Sequence, residues 1–127
     1  RITDGTDVAL VAAGGRLLVT SGTPTTSALT SASFSSTSTG DITLVSAVAS
    51  QTVRVFRIVL VIGGATNLTF KDGASTNLTG ALNMTANGSI VLDYDGDPWF
   101  VTSSGNAFIV NQSGTAQVSG RVYYTQS

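Results

Sequence analysis

Apolar residues recur along this chain in short bursts divided by glycine-containing turns, with no helical period of useful length. The longest burst is 52–62, TVRVFRIVLVI, which ends at Gly63-Gly64. It is rich in β-branched Val and Ile, which favours a strand over a helix. Strict alternation would put Arg54, Phe56, Ile58, Leu60 and Ile62 on one face and Val53, Val55, Arg57, Val59 and Val61 on the other. The second half is apolar on both faces, so the pattern predicts a central strand covered on both sides. Arg54 and Arg57 mark the first half as the end that meets solvent or a partner.

Further strands are expected at 42–48, 67–71, 78–84, 89–94, 99–102, 107–111 and 115–124. Asp72-Gly73, Asn87-Gly88, Asp95-Gly96, Gly105 and Gly114 lie between them. Asp-Gly and Asn-Gly tolerate the positive φ of tight turns and are strong hairpin signals. About eight short strands in residues 41–127 predict an all-β fold, an antiparallel β-sandwich of the jelly-roll type. In the last strand Val118, Val122 and Tyr124 are expected to face inward. Gly120 between them would leave room for a large neighbour such as Trp99 or Phe100.

The first 40 residues read differently. Residues 1–20 pattern as a β-ribbon, with Ala9, Leu10 and Val11 and then Leu17, Leu18 and Val19 flanking Gly14-Gly15. A lone hairpin is marginal in water, so this segment is expected to dock on the main domain, a sister subunit or a larger assembly. Residues 21–40 follow, and thirteen of these twenty are Ser or Thr. That composition predicts a flexible or extended linker. Leu29 and Phe34 are its two large apolar residues and candidates to pin it to a partner. The expected organisation is an arm at 1–20, a Ser/Thr-rich linker at 21–40 and a sandwich at 41–127.

Composition narrows the chemistry. Charged residues are 10% of the 127, the net charge is −1, and there is no Cys or His. Disulfides, thiolate chemistry, imidazole acid–base catalysis and cysteine–histidine zinc sites are excluded. Six scattered cations do not make the basic stripe that nucleic acid requires. The longest apolar run falls short of the roughly 20 residues of a membrane-spanning helix. No signal-peptide pattern is visible, and the opening at Arg1 rather than Met suggests a processed or partial product.

Three carboxylates, Asp93, Asp95 and Asp97, fall within five residues and resemble part of a calcium loop. The glycine comes too early and no bidentate Glu follows, so a turn is the better reading and no metal or other cofactor is expected. A glycosidase pair would have to face across a sugar, which one turn does not provide. Lys71, the single lysine, sits on a polar strand face beside a turn and reads as a solvated or edge-guarding charge. Trp99 and Phe100 suggest either a sugar-stacking platform or core aromatics, and the core is the expectation. Five Asn-x-Ser/Thr sequons, at Asn67, Asn77, Asn83, Asn87 and Asn111, follow from the abundance of Asn, Ser and Thr.

The motifs Thr-Phe-Lys-Asp-Gly at 69–73, Leu-Thr-Gly-Ala-Leu at 78–82 and Ala-Asn-Gly at 86–88 come in that order. Pro-Trp-Phe at 98–100, Gly-Asn-Ala-Phe at 105–108 and a closing Val-Ser-Gly-Arg-Val-Tyr at 118–123 complete the series. Together with the opening RITDGTDVALV, this text resembles small virion proteins of tailed bacteriophages. The resemblance implies a structural protein rather than an enzyme, located in the virion. Its role would be capsid decoration on the head surface, with the major capsid protein or neighbouring virion proteins as partners. A head-fibre or tail-associated host-attachment module, binding a host glycan or protein, is the alternative. Decoration modules of this type imply homotrimers. The excess of apolar residues suggests Phe56, Ile58 and Tyr123 as the subunit interface, and the segments around Ala9–Val11 and Leu17–Val19, with Leu29 and Phe34, as the attachment device.

Overall fold

The computed structural model describes residues 29–127. They form an all-β structure of two antiparallel sheets facing each other, with no helix among the described residues. Ten strands are present: β1 (Thr30–Ser36), β2 (Gly40–Val45), β3 (Val53–Ile62), β4 (Thr66–Asp72), β5 (Thr76–Asn77), β6 (Leu82–Met84), β7 (Ser89–Leu92), β8 (Phe100–Val101), β9 (Phe108–Gln112) and β10 (Val118–Gln126). One sheet runs β1-β10-β3-β7, with β8 also pairing β3. The other runs β2-β9-β4-β5, with β6 also pairing β4. Consecutive strands therefore mostly change sheets, and the inner faces close on one core.

The core is built from the inward positions of both sheets. Val53, Val55, Ile58, Leu60, Ile62, Val118 and Val122 from the first meet Ile42, Leu44, Leu68, Phe70, Phe108 and Val110 from the second. Phe70, Phe100 and Phe108 form an aromatic group with ring centroids 4.9–5.7 Å apart. Phe100 is thus a core residue, as expected.

Two sequence expectations fail here for physical reasons. The first concerns residues 30–36, read as linker. They form the edge strand β1, paired without interruption to β10 from Thr30↔Tyr124 to Ser36↔Val118. Ala32 and Phe34 face inward and pack against the core. The alternation is present, but its inward positions hold one small and one large side chain, so the hydropathy signal is weak.

The second concerns the faces of β3. Its pairing with β10 steps from Arg57↔Tyr123 to Val55↔Tyr124, which leaves Phe56 as an extra residue on β3. Such a bulge reverses the alternation. Val53 and Val55 face inward before it and Ile58, Leu60 and Ile62 after it, so both arginines fall outside the core. Phe56 is buried separately, 5.9 Å from the Tyr94 ring. The outer side of β3 is not covered as predicted, because Val61 remains exposed.

Gly120 also differs from expectation. A Cβ there would lie 1.8 Å from the Val59 carbonyl oxygen, so the missing side chain lets β10 approach the backbone of β3. Phe34 stands opposite Gly120 in register.

Buried polar side chains close both ends of the sandwich. At one end Gln112 accepts from the Thr66 hydroxyl at 3.2 Å and donates to the carbonyls of Ser38 and Ala116 at 2.8 and 2.9 Å. At the other, Asp72 accepts from Ser103 N–H (2.9 Å), the Ser103 hydroxyl (2.8 Å) and the Asn106 amide (2.9 Å). Burial by itself would raise the Asp72 carboxyl, but those donors outweigh it and hold its pKa below the ordinary value. A depressed folded pKa means stability that is complete above the unfolded value near 3.9 and is lost as pH falls through it toward the folded one. Asp72→Asn turns an amide donor toward groups that already donate. It should lose about 1.5–3 kcal/mol at neutral pH and flatten the acid limb of stability below about pH 4. Urea titrations of both proteins at several pH values check this, and equal acid limbs would refute it.

Candidate functional site

The outer faces of the two sheets are chemically unlike each other. On the β2-β9-β4 sheet the face is polar. Asp41 Oδ1 accepts from Lys71 Nζ at 3.1 Å and from the Asn111 amide at 2.8 Å. The Asn111 bond, then Lys71, lower the Asp41 pKa against partial burial. Lys71 is therefore an ion-pair partner on the sheet face, not a free charge guarding an edge.

On the β10-β3-β7 sheet the face mixes exposed apolar side chains with three arginines. Val61, Val91, Trp99 and Val101 are 46, 55, 43 and 43% exposed. They are four of the five large exposed apolar residues among those described, Val48 being the fifth. Register places Val59 between Arg121 of β10 and Val91 of β7, and Val61 beside Ser89. Further along β3, Arg54 pairs with Val101 of β8. Val59, Val61 and Val91 adjoin one another, while Val101 and Trp99 lie further along the sheet, beyond Arg57 and beside Arg54.

Charged and aromatic groups hold the middle of this face in place. The Arg57 guanidinium lies 5.1 Å from the Tyr123 ring centroid and that of Arg121 6.0 Å. Arg57 Nε also donates to Asp93 Oδ1 at 3.0 Å, and Arg121 Nη2 to Ser31 Oγ at 2.9 Å. The 93–99 loop is tied down as well. Trp99 Nε1 donates to the Asp93 carbonyl at 2.7 Å, and Trp99 N to that of Val55 at 2.7 Å. Asp95 Oδ1 accepts from the Asp97 N–H at 3.2 Å, a turn-forming bond. The indole is thereby fixed with its N–H satisfied and its ring partly in water.

The three candidate metal carboxylates thus have separate engagements. Asp93 pairs with Arg57, Asp95 caps its own turn, and Asp97 supplies that turn's N–H. Among the described residues no group of three His, Cys, Asp or Glu is placed to hold a metal. Of the suggested interface residues, Ile58 is fully buried in the core and Phe56 is buried against Tyr94, so neither offers surface. Tyr123 does lie on the outer face, within the arginine pair. Phe34 packs on its own sandwich and Leu29 is half-buried. Ala9, Leu10, Val11, Leu17, Leu18 and Val19 lie outside the described residues. Sequence reasoning missed Val59, Val61, Val91 and Val101 because it expected β3 to be covered on both sides. It missed Trp99 because indoles are more often buried. The alternation in 89–92 and 99–101 was the available signal.

Among the described residues no helix is long and apolar enough to cross a membrane. No protein-family model matches the chain, and no curated protein matches it either.

Proposed function

We propose that this chain is a structural protein of a tailed-phage virion, a jelly-roll decoration module that binds the head shell and stabilises it. The observation that carries this reading is the strand order, β1-β10-β3-β7 against β2-β9-β4-β5. That order supports a jelly-roll reading, an architecture used by viral capsid and lectin domains. Fold analogy alone does not assign a role, and the ordered series of phage-like motifs supplies the rest. Those motifs fall on the end of β4 and its turn, on 78–82, on the turn before β7, at the starts of β8 and β9, and on β10.

Residues 1–28 join this module at the start of the edge strand β1. An arm leaving a sheet edge is well placed to add strands to a neighbour through main-chain hydrogen bonds. With β1 beginning at Thr30, the nine linker residues 21–29 span at most about 30–32 Å, under half the reach of a linker running to residue 40.

Full-length protein should bind capsids that lack it and raise their resistance to heat, since a ligand of the assembled state stabilises that state. A variant lacking residues 1–28 should fail to bind. Exposed, immobilised Trp99 favours host attachment as the second reading, its ring stacking on a glycan. On that reading the truncated protein blocks phage adsorption, Trp99→Ala does not, and full-length protein leaves capsid stability unchanged. That set of results would replace decoration with attachment.

A further inference from the structure

We propose that the open edge of β1 pairs with β1 of a second copy of this chain, joining two sheets into one. The inference goes beyond the virion role and does not depend on it. Among the described residues β1 has a partner strand on one side only, β10. The other sheet edges are blunted in ways that discourage strand addition. β2 carries Asp41 and a bulge between Thr43 and Val45. The remaining flanks of β3 and β4 are covered by short strands of two to four residues, β7 and β8 on one and β5 and β6 on the other. β1 instead offers seven residues, TSASFSS, with no charge, no proline and no register shift. Its inward Ala32 and Phe34 pack against the core yet are only partly buried, so a strand added at this edge covers them further.

Self-complementarity identifies the occupant. A two-fold axis normal to the sheet at Ser33 reverses the strand and keeps its faces, so Ser33 of one copy stands opposite Ser33 of the other in an antiparallel pair. Every residue of β1 then has a partner, from Thr30 beside Ser36 to Ser36 beside Thr30. On the inner face each Phe34 lies beside the other copy's Ala32, so large meets small twice. On the outer face Ser31, Ser33 and Ser35 meet serines, which are too small to block close approach. Arg121, on that face, stands opposite Ser33 on β10 and donates to Ser31. Across the axis the two arginines are three strand spacings apart, about 14 Å, beyond the screening length of about 8 Å at physiological salt.

The chain has no cysteine, so a single one reports the contact. Full-length Ser33→Cys is expected to form a disulfide-linked dimer under mild oxidation, since residues directly opposite in an antiparallel pair lie within disulfide reach. Ser75→Cys, in the exposed turn between β4 and β5, is the control and should not link. Sedimentation of the parent protein should show weak, reversible dimerisation, as a contact of one strand pair gives. Ser33→Lys sets like charges directly opposite and should weaken it about fivefold. Ser33→Glu protein mixed with Ser33→Lys protein should associate more tightly than either alone. A parent still monomeric at about 1 mM, with Ser33→Cys linking no faster than Ser75→Cys, overturns the proposal. So does an assembly of three copies, which a two-fold edge pairing cannot make. Dimerisation that appears only once residues 1–28 are removed also overturns it, because that segment would then be what takes the edge. Capsid binding by a monomeric protein would leave decoration standing while refuting this contact.

Discussion

A Gly120→Ala protein is expected to lose about 3–4 kcal/mol of stability, from one added methyl group. The obstacle is main chain, not a side chain that can rotate away. The new Cβ would sit 1.8 Å from the Val59 carbonyl oxygen and 2.9 Å from Leu60 Cα. β10 must then move off β3, which strains the ladder from Val118↔Ile62 to Val122↔Ile58 and loosens the buried valines it carries. Gly80→Ala is the control, because a Cβ there meets nothing within 4 Å. It should stay within about 0.5 kcal/mol of the parent. Urea unfolding compares the three proteins. A Gly120→Ala midpoint close to that of Gly80→Ala would mean the two strands do not approach as described.

Removing residues 1–36 is expected to cost about 4 kcal/mol or more, whereas removing 1–28 leaves the sandwich's melting temperature within a few degrees. The longer deletion takes away β1. It strips Ala32 and Phe34 from the core and exposes the edge of β10 beside Val118 and Val122. A long, regular edge of that kind, with Arg121 its only charge, pairs with other strands it meets, so aggregation should accompany the loss. Phe34→Ala in the full chain isolates the side-chain part, at about 2–3 kcal/mol. If the 1–36 deletion melts like the 1–28 deletion, β1 is not part of the folded unit.

These two results bracket what the sequence allowed one to read. Glycine turns and period-two alternation located most strands of the sandwich, because those signals are local. Residues 30–36 escaped because an edge strand needs only one inward aromatic, and serine on its outer side is indistinguishable from a linker. The bulge escaped because Phe56 fits either face of a strand, and only the pairing with β10 reveals the extra residue. The candidate face was hidden for another reason: the second half of β3 was expected to be covered on both sides, so Val59 and Val61 were not read as outward positions. Asp72 and Gln112 look like ordinary turn and strand residues in the sequence, since their donors and acceptors come from residues 103–106, 38 and 116.

The pairing of β1 with β10 also has a kinetic consequence. The first and last strands described are neighbours, and β10 is what joins β1 to β3. During synthesis from the ribosome, β3 therefore waits for nearly the whole domain to emerge before its central partner exists. Contacts between such distant segments close slowly, because loop entropy is lost before any packing is gained. In that interval Ile58, Leu60 and Ile62 stay unpaired on the β10 side. This domain should therefore fold late and all at once, when β10 becomes available, with its yield falling as concentration rises.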